Sequence, residues 1–326
     1  MKTSKFFQLY ILVLALLFTR ANLNAQQVAA TFVEQTGYLL YLPEQYRADT
    51  TKSWPLVMFL HGSGESGQDI EKVKKHGPPK MAANGKSFPF ILVSPQAPTA
   101  RGGWDTDKLY RLIQEIKKNY RVDASRVYLT GLSMGGFGTF ALAMKYPQEF
   151  AAIAPVCGGG DTTNAWKLRN MAVWCFHGAD DDVVPPSASI NMVNAAKRYN
   201  PNIKFTLYEN TNHNSWDTTY NNPAFYDWLL AQKKARYREI KPAPGVLEKY
   251  TGTYLGEDGD TIDIKLQEGQ LIANPERDPV PLKPAGDDLF FIRSDQETDI
   301  RFNLENGTAV NFLFMGERKI LYRKIY

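Results

Sequence analysis

Along the first two thirds of the chain, hydrophobic residues fall into short unbroken runs: Pro55–Leu60, Phe88–Val93, Arg126–Thr130, Ala151–Ala154 and Met171–Phe176. Apolar runs without alternation predict strands covered on both faces. Val28–Val33 and Gly37–Leu42 predict a strand pair, and Lys204–Tyr208 a further strand. Between them, apolar positions recur every three or four residues. Asp105–Tyr120 places Leu109, Leu112, Ile113 and Ile116 on one stripe, and Met134–Tyr146, Pro186–Tyr199 and Pro223–Lys233 follow it. These segments predict helices. Strands alternating with helices predict a mostly parallel sheet with helices on both faces, and a site at the carboxyl ends of its strands.

The pattern changes after Arg236-Tyr-Arg-Glu-Ile-Lys-Pro-Ala-Pro-Gly245, a linker-like segment holding Pro242, Pro244 and Gly245. Beyond it the period is two: Ile262, Ile264 and Leu266; Ile300, Phe302 and Leu304; Val310, Phe312 and Phe314; Ile320 and Tyr322. Turns at Glu268-Gly269, Asn306-Gly307 and Gly316-Glu317 divide these runs. About 80 residues with about eight short strands predict a small antiparallel barrel or meander. The expected organisation is 1–25 signal peptide, 26–238 catalytic domain, 239–247 linker and 248–326 β-rich accessory domain.

The signal peptide rests on Lys2 and Lys5, an apolar stretch from Tyr10 to Phe18, and small Ala25, after which cleavage is expected. The stretch is far short of the ~20 residues that span a bilayer. The expected location is therefore secreted or periplasmic, with no membrane span. The chain carries +4, of which Lys2, Lys5 and Arg20 supply three, leaving +1 on the remainder. With no basic stripe, no nucleic-acid partner is expected. Cys157 and Cys175 lie in apolar surroundings without a metal-ligand spacing, so two buried thiols are expected and no metal.

Candidate chemistry begins at Gly131-Leu-Ser-Met-Gly135, which follows a strand and opens a helix. A Gly-x-Ser-x-Gly turn in that setting presents the Ser133 hydroxyl as a nucleophile and the Met134 N–H to an oxyanion. Gly62, Gly64 and Gly67 follow His61 just beyond another strand, a place for a second donor, the Ser63 N–H. It lacks the Gly-Lys-Ser/Thr ending of a phosphate-binding loop. Ser needs a base, and of the four histidines only His177 and His213 come after it. His177 ends an apolar strand and reads as packing support. His213 sits in the polar loop Asn210-Thr-Asn-His-Asn-Ser-Trp216 and is the expected base. The acid is expected within Asp180-Asp-Asp182, and periodicity does not choose among the three.

His61-Gly-Ser-Gly-Glu-Ser-Gly67, Trp104-Asp105, Gly131-Leu-Ser-Met-Gly-Gly136, His177-Gly-x-x-Asp181-x-x-Val-Pro185 and His213-x-x-Trp216 resemble one group of enzymes. That group is the phospholipase/carboxylesterase and polyhydroxybutyrate-depolymerase-like esterases, which include feruloyl and acetyl-xylan esterases. The resemblance covers roughly 50–235 and implies an α/β-hydrolase fold and a serine esterase. It assigns the acid to Asp181, although Asp182 stands where relatives often carry Pro, leaving Asp180 and Asp182 as alternatives. The C-terminal segment resembles lipocalin-like β-domains appended to bacterial serine hydrolases.

The expectation is a secreted serine carboxylic-ester hydrolase using Ser133, Asp181 and His213 through an acyl-enzyme, with no cofactor. Only Cys157–Asn170 joins the strand after the elbow helix to the next, too short for a lid. An open site suits short acyl groups or carbohydrate-linked feruloyl and acetyl esters, with Trp104 and Trp216 as candidate pocket residues. The alternatives are a serine peptidase of prolyl-oligopeptidase type, whose usual propeller is missing, and a glycan-binding protein with a relict site.

Overall fold

The computed structural model describes residues 26–32, 36–234, 237–292 and 298–326. The leader expected at 1–25 lies outside them. The chain divides into two compact units, Met1–Lys234 and Ala235–Tyr326.

The first unit is one eight-stranded sheet. Its strands are β1 (Gln26–Phe32), β2 (Thr36–Leu42), β3 (Trp54–Leu60), β4 (Ile91–Pro95), β5 (Val122–Leu132), β6 (Ala152–Val156), β7 (Ala172–Gly178) and β8 (Lys204–Tyr208). Its helices are α1 (Gly77–Ala83), α2 (Thr106–Asn119), α3 (Met134–Lys145), α4 (Ser187–Lys197), α5 (Trp216–Asn221) and α6 (Pro223–Ala231). The strand order is β1-β2-β4-β3-β5-β6-β7-β8. The β1/β2 and β2/β4 pairs are antiparallel, and every pair from β4/β3 to β7/β8 is parallel.

β3 shows why its sequence has no alternation. Leu56, Met58 and Leu60 pack on one face with α2 and α3, through Leu109, Leu112, Ile113 and Phe140. Val57 and Phe59 pack on the other with α5 and α6, through Tyr220, Phe225 and Leu229. A strand covered twice must be apolar at every position.

Several boundaries differ from the sequence pattern; β5, for one, starts at Val122, four residues before the apolar run Arg126–Thr130. β4 starts at Ile91 and not Phe88: Pro89 has no N–H for a ladder, and the Phe88 and Phe90 rings turn to Tyr226, with centroids at 5.3 and 6.3 Å. α1, which the sequence pattern did not predict, begins at Gly77-Pro78-Pro79, and proline suits a first helical turn. No helix among the described residues is long and apolar enough to cross a membrane.

The second unit is a closed antiparallel barrel. Its strands are β9 (Gly252–Gly256), β10 (Thr261–Gln267), β11 (Gln270–Ala273), β12 (Val280–Pro284), β13 (Leu289–Phe291), β14 (Asp299–Glu305), β15 (Thr308–Met315) and β16 (Lys319–Lys324). β16 pairs back to β9, so no edge is left to aggregate. Inward positions fill it with aromatic rings: Tyr250, Tyr254, Phe290, Phe302, Phe312 and Tyr322, with neighbouring centroids 4.8 to 6.0 Å apart. Segment 239–247 belongs to this unit, and Ile240 N–H donates to the Pro284 carbonyl at 2.9 Å.

Candidate active site

β3, β5, β7 and β8 end at the same rim, and each contributes a loop. Ser133 closes β5 and caps α3 with φ 53° and ψ −117°. A non-glycine residue is rarely held in that region, and such strain clusters at functional turns. The turn needs bare backbone beside it. A Cβ on Gly135 would lie 2.0 Å from the Leu60 carbonyl oxygen, and one on Gly131 2.5 Å from that of Gly135. β3, β5 and α3 therefore approach more closely here than any side chain allows.

The loops after β7 and β8 are stitched together. Ala179 N–H donates to Tyr208 O and Asp180 N–H to Thr211 O, both at 2.9 Å. Gly178 permits this, since a Cβ there would come within 2.3 Å of the Thr211 and Asn212 carbonyls. The joined loops bring Asp181 to His213 across 32 residues of chain. His213 Nδ1 lies 2.8 Å from Asp181 Oδ2, and His213 Nε2 lies 3.0 Å from Ser133 Oγ.

Asp181 is buried at 6% exposure, whereas Asp180 and Asp182 are exposed. Its Oδ1 accepts the Val183 and Val184 N–H groups at 3.0 and 2.8 Å. Burial opposes its charge, but the hydrogen bonds from His213, Val184 and Val183 outweigh that cost, and its pKa falls below the usual carboxylate value. With Oδ2 accepting from Nδ1–H, the ring presents the Nε2 lone pair to the serine hydroxyl. That is the arrangement of a serine nucleophile, its general base and an orienting acid.

Ser63 opens a short 3-10 turn after β3, and Met134 is the first residue of α3. N–H groups in a first turn have no partner within their own helix, so both can serve a developing oxyanion. Both line a groove of about 460 Å³ with Ala100, Gly102, Gly103, Trp104, Phe137, Gly138 and Ala141. Trp104 lines this groove. Trp216 does not line this groove; its ring stands edge-on to His213 at 5.2 Å, with His76 at 5.4 Å. Phe137, 40% exposed, is a wall that sequence reading missed. Its signal was an aromatic one turn past Ser133 on a helix otherwise made mostly of small and core residues.

His61 supports the loop. Its Nε2 accepts the Ala97 N–H at 3.0 Å, and Trp104 Nε1–H donates to its carbonyl at 3.3 Å. Burial lowers its pKa to about 4, so the ring is neutral. Cys157 and Cys175 are buried and unbridged, and burial pushes each thiol up to about 12. Cys157, Asp181 and His213 each offer a ligand atom, all within 4.8 Å of one another. A metal would need the thiolate that burial disfavours and would have to break the His213–Asp181 bond, so these residues suit proton transfer better.

A model of the family described as Phospholipase/Carboxylesterase matches residues 47–222, more than half of the chain. A model of a domain of unknown function (DUF3471) matches 237–323. The bifunctional acetylxylan esterase/xylanase XynS20E of Neocallimastix patriciarum is 30% identical over 178 residues, covering 47% of this chain and 25% of that protein. A probable feruloyl esterase C of Aspergillus terreus is 29% identical over 161 residues, 48% of this chain and 59% of that one. The chain thus spans a quarter to three fifths of these relatives. A crystal structure of a thermostable esterase, 28% identical, superposes with a TM-score of 0.56 over 64% of this chain and 63% of its own.

Proposed function

The chain belongs to the phospholipase/carboxylesterase family, and from that premise we propose that it is a secreted serine hydrolase that cleaves carboxylic esters through an acyl-enzyme. The observation that carries this reading is the unbroken order Ser133 Oγ, His213 and Asp181, with contacts of 3.0 and 2.8 Å, beneath a strained serine backbone.

His213 Nε2 takes the hydroxyl proton as Ser133 Oγ attacks the ester carbonyl. The Met134 and Ser63 N–H groups hold the oxyanion, each worth ~3 kcal/mol in the transition state. His213 then protonates the leaving alcohol, and the carbonyl re-forms as an ester on Ser133. Water, deprotonated by the same ring, releases the acid and restores the serine. Asp181 keeps Nδ1 protonated and stabilises the cation that forms.

Trp104 and Phe137 give the groove two aromatic walls. Such walls suit a flat acyl group or a sugar face, in keeping with feruloyl or acetyl esters carried on carbohydrate. Export rests on the leader-like composition of residues 1–25, and a mature N-terminus at Gln26 would be its signature.

A substrate panel tests the whole reading: p-nitrophenyl acetate and butyrate, methyl ferulate, acetylated xylan and a peptide amide, each with wild type and Ser133→Ala. The expected result is ester turnover that Ser133→Ala abolishes. Turnover surviving that change would remove Ser133 from the chemistry. Cleavage of the amide alone would make the protein a peptidase, and binding without turnover would make it a glycan-binding module.

A further inference from the structure

The loop that offers the Ser63 N–H is gripped by the histidine that opens it. His61, just beyond β3, is 1% exposed, and both of its ring nitrogens meet backbone. Nε2 is 3.0 Å from the Ala97 nitrogen, and Nδ1 is 2.5 Å from the Gly62 carbonyl oxygen. An amide N–H can only donate and a carbonyl can only accept. Nε2 must therefore hold the lone pair and Nδ1 the proton, which fixes one neutral tautomer. Burial favours the same state, lowering the pKa to about 4, and the Trp104 ring lies against the imidazole with centroids 4.7 Å apart.

The carbonyl that Nδ1–H grips belongs to the same peptide as the Ser63 N–H. That peptide is trans, and across a trans peptide C=O and N–H point in opposite directions. Drawing the Gly62 carbonyl towards the buried ring turns the Ser63 N–H away from it, and Ser63 lines the groove together with Met134. The Glu65 N–H reaches the same carbonyl at 3.5 Å, a longer contact that leaves Nδ1–H as the principal hold. At the other end of the tether, the Ala97 carbonyl accepts the Gly67 N–H at 2.9 Å. Ala97, just after β4, thus anchors both ends of the loop 61–67.

We propose that His61 is a positioning residue for the oxyanion hole, its Nδ1–H donation to the Gly62 carbonyl setting the direction of the Ser63 N–H. The inference rests on the proposed acyl transfer at Ser133 and deepens it. A donor stabilises an oxyanion fully only if it is aimed before the charge develops, because a peptide that must turn during the reaction loses stabilisation to its own reorganisation. His61 supplies that fixed aim from behind the loop, in a buried place where its hydrogen bond is stronger than in water. The benefit belongs to the transition state and not to substrate binding, so it falls on kcat.

Two measurements test this. The first needs no variant: long-range 1H–15N correlation on the 15N-histidine-labelled full chain, with His61 assigned through its contacts with Ala97 and Trp104. At pH 7.5 the ring should carry its proton on Nδ1 and none on Nε2; the opposite tautomer would overturn the proposal. The second sets two amides against each other. His61→Gln can place its carbonyl where Nε2 accepts from Ala97 but has no donor at Nδ1, whereas His61→Asn keeps an N–H near Nδ1 and gives up the Ala97 contact. With p-nitrophenyl acetate, His61→Gln should lower kcat about 30-fold and leave KM within about twofold, short of the roughly 10²–10³ that losing a donor outright costs. The Ki of a trifluoromethyl ketone, whose hemiketal oxyanion meets the same N–H groups, should rise by a similar factor. His61→Asn should recover most of both losses. A folded His61→Gln with kcat within about threefold of wild type, or a folded His61→Asn no better than His61→Gln, would overturn the proposal. Failure of the acyl-transfer reading shows instead as turnover that survives Ser133→Ala and leaves the His61 tautomer unchanged, so the two failures can be told apart.

Discussion

The two units bury different things. Among the described residues, the first unit buries His61, Glu65, Glu149, Arg169, His177 and Asp181 besides several hydroxyls and amides, whereas the barrel buries one ionisable group of this kind, Asp299. The barrel interior is a stack of aromatic rings that touch one another, which is what packing alone requires. Buried charge is costly unless paired; His61, Glu65, His177 and Asp181 stand at or just beyond the carboxyl ends of β3 and β7, whereas Glu149 and Arg169 stand before the starts of β6 and β7. The first unit thus holds the candidate site, and the second has a filled core.

The largest effect that would sharpen the contrast is on catalysis alone. Asp181→Asn should lower kcat by roughly 10⁴, because the His213 tautomer is no longer enforced, while Tm changes little. Steady-state kinetics beside a melting curve checks both halves. A kcat within tenfold of wild type would mean the carboxylate does not orient the base.

The converse belongs to the barrel. Phe312→Ala removes a fully buried ring in contact with Tyr254, Phe302 and Tyr322, at a cost of about 4 kcal/mol. Denaturant titration should show that loss, with ester turnover at low denaturant unchanged within about twofold. Turnover that fell with the barrel would break the division between the units.

Acid should strike the first unit through His61. Its pKa falls from 6.5 to about 4 on burial, so the unfolded chain takes up the proton first. The stability this provides is complete above about pH 6.5 and is lost as pH falls towards 4, amounting to about 3 kcal/mol. The midpoint in urea should decline across that window in wild type and less steeply in His61→Gln. Parallel declines would contradict a neutral buried ring.

The smallest effect concerns substrate. Trp104→Ala should raise KM for methyl ferulate about tenfold, roughly 1.4 kcal/mol, and leave p-nitrophenyl acetate nearly untouched. Equal changes for both would mean the groove does not hold the ring.

Much of this was legible in the chain because it depends on local pattern. The doubly covered strands betray themselves by unbroken apolar runs, the barrel by alternation, and the elbow by Gly131-x-Ser133-x-Gly135 between a strand and a helix. What was not legible depends on neighbours distant in sequence. Asp180, Asp181 and Asp182 are alike in periodicity; the family resemblance pointed to Asp181, and it is Asp181 that meets the loop carrying His213. Trp216 looked like a pocket wall because a tryptophan three residues after a histidine carries no sign of which face it turns; it backs His213 instead.

The central claim is that Ser133 is an activated nucleophile. Incubating the purified protein with a fluorophosphonate, then mapping the adduct by peptide mass spectrometry, tests it most directly. One phosphonyl group on Ser133, with labelling strongly slowed in His213→Ala, is the predicted result. A folded protein that leaves Ser133 unlabelled, or carries the group on another residue, would contradict it.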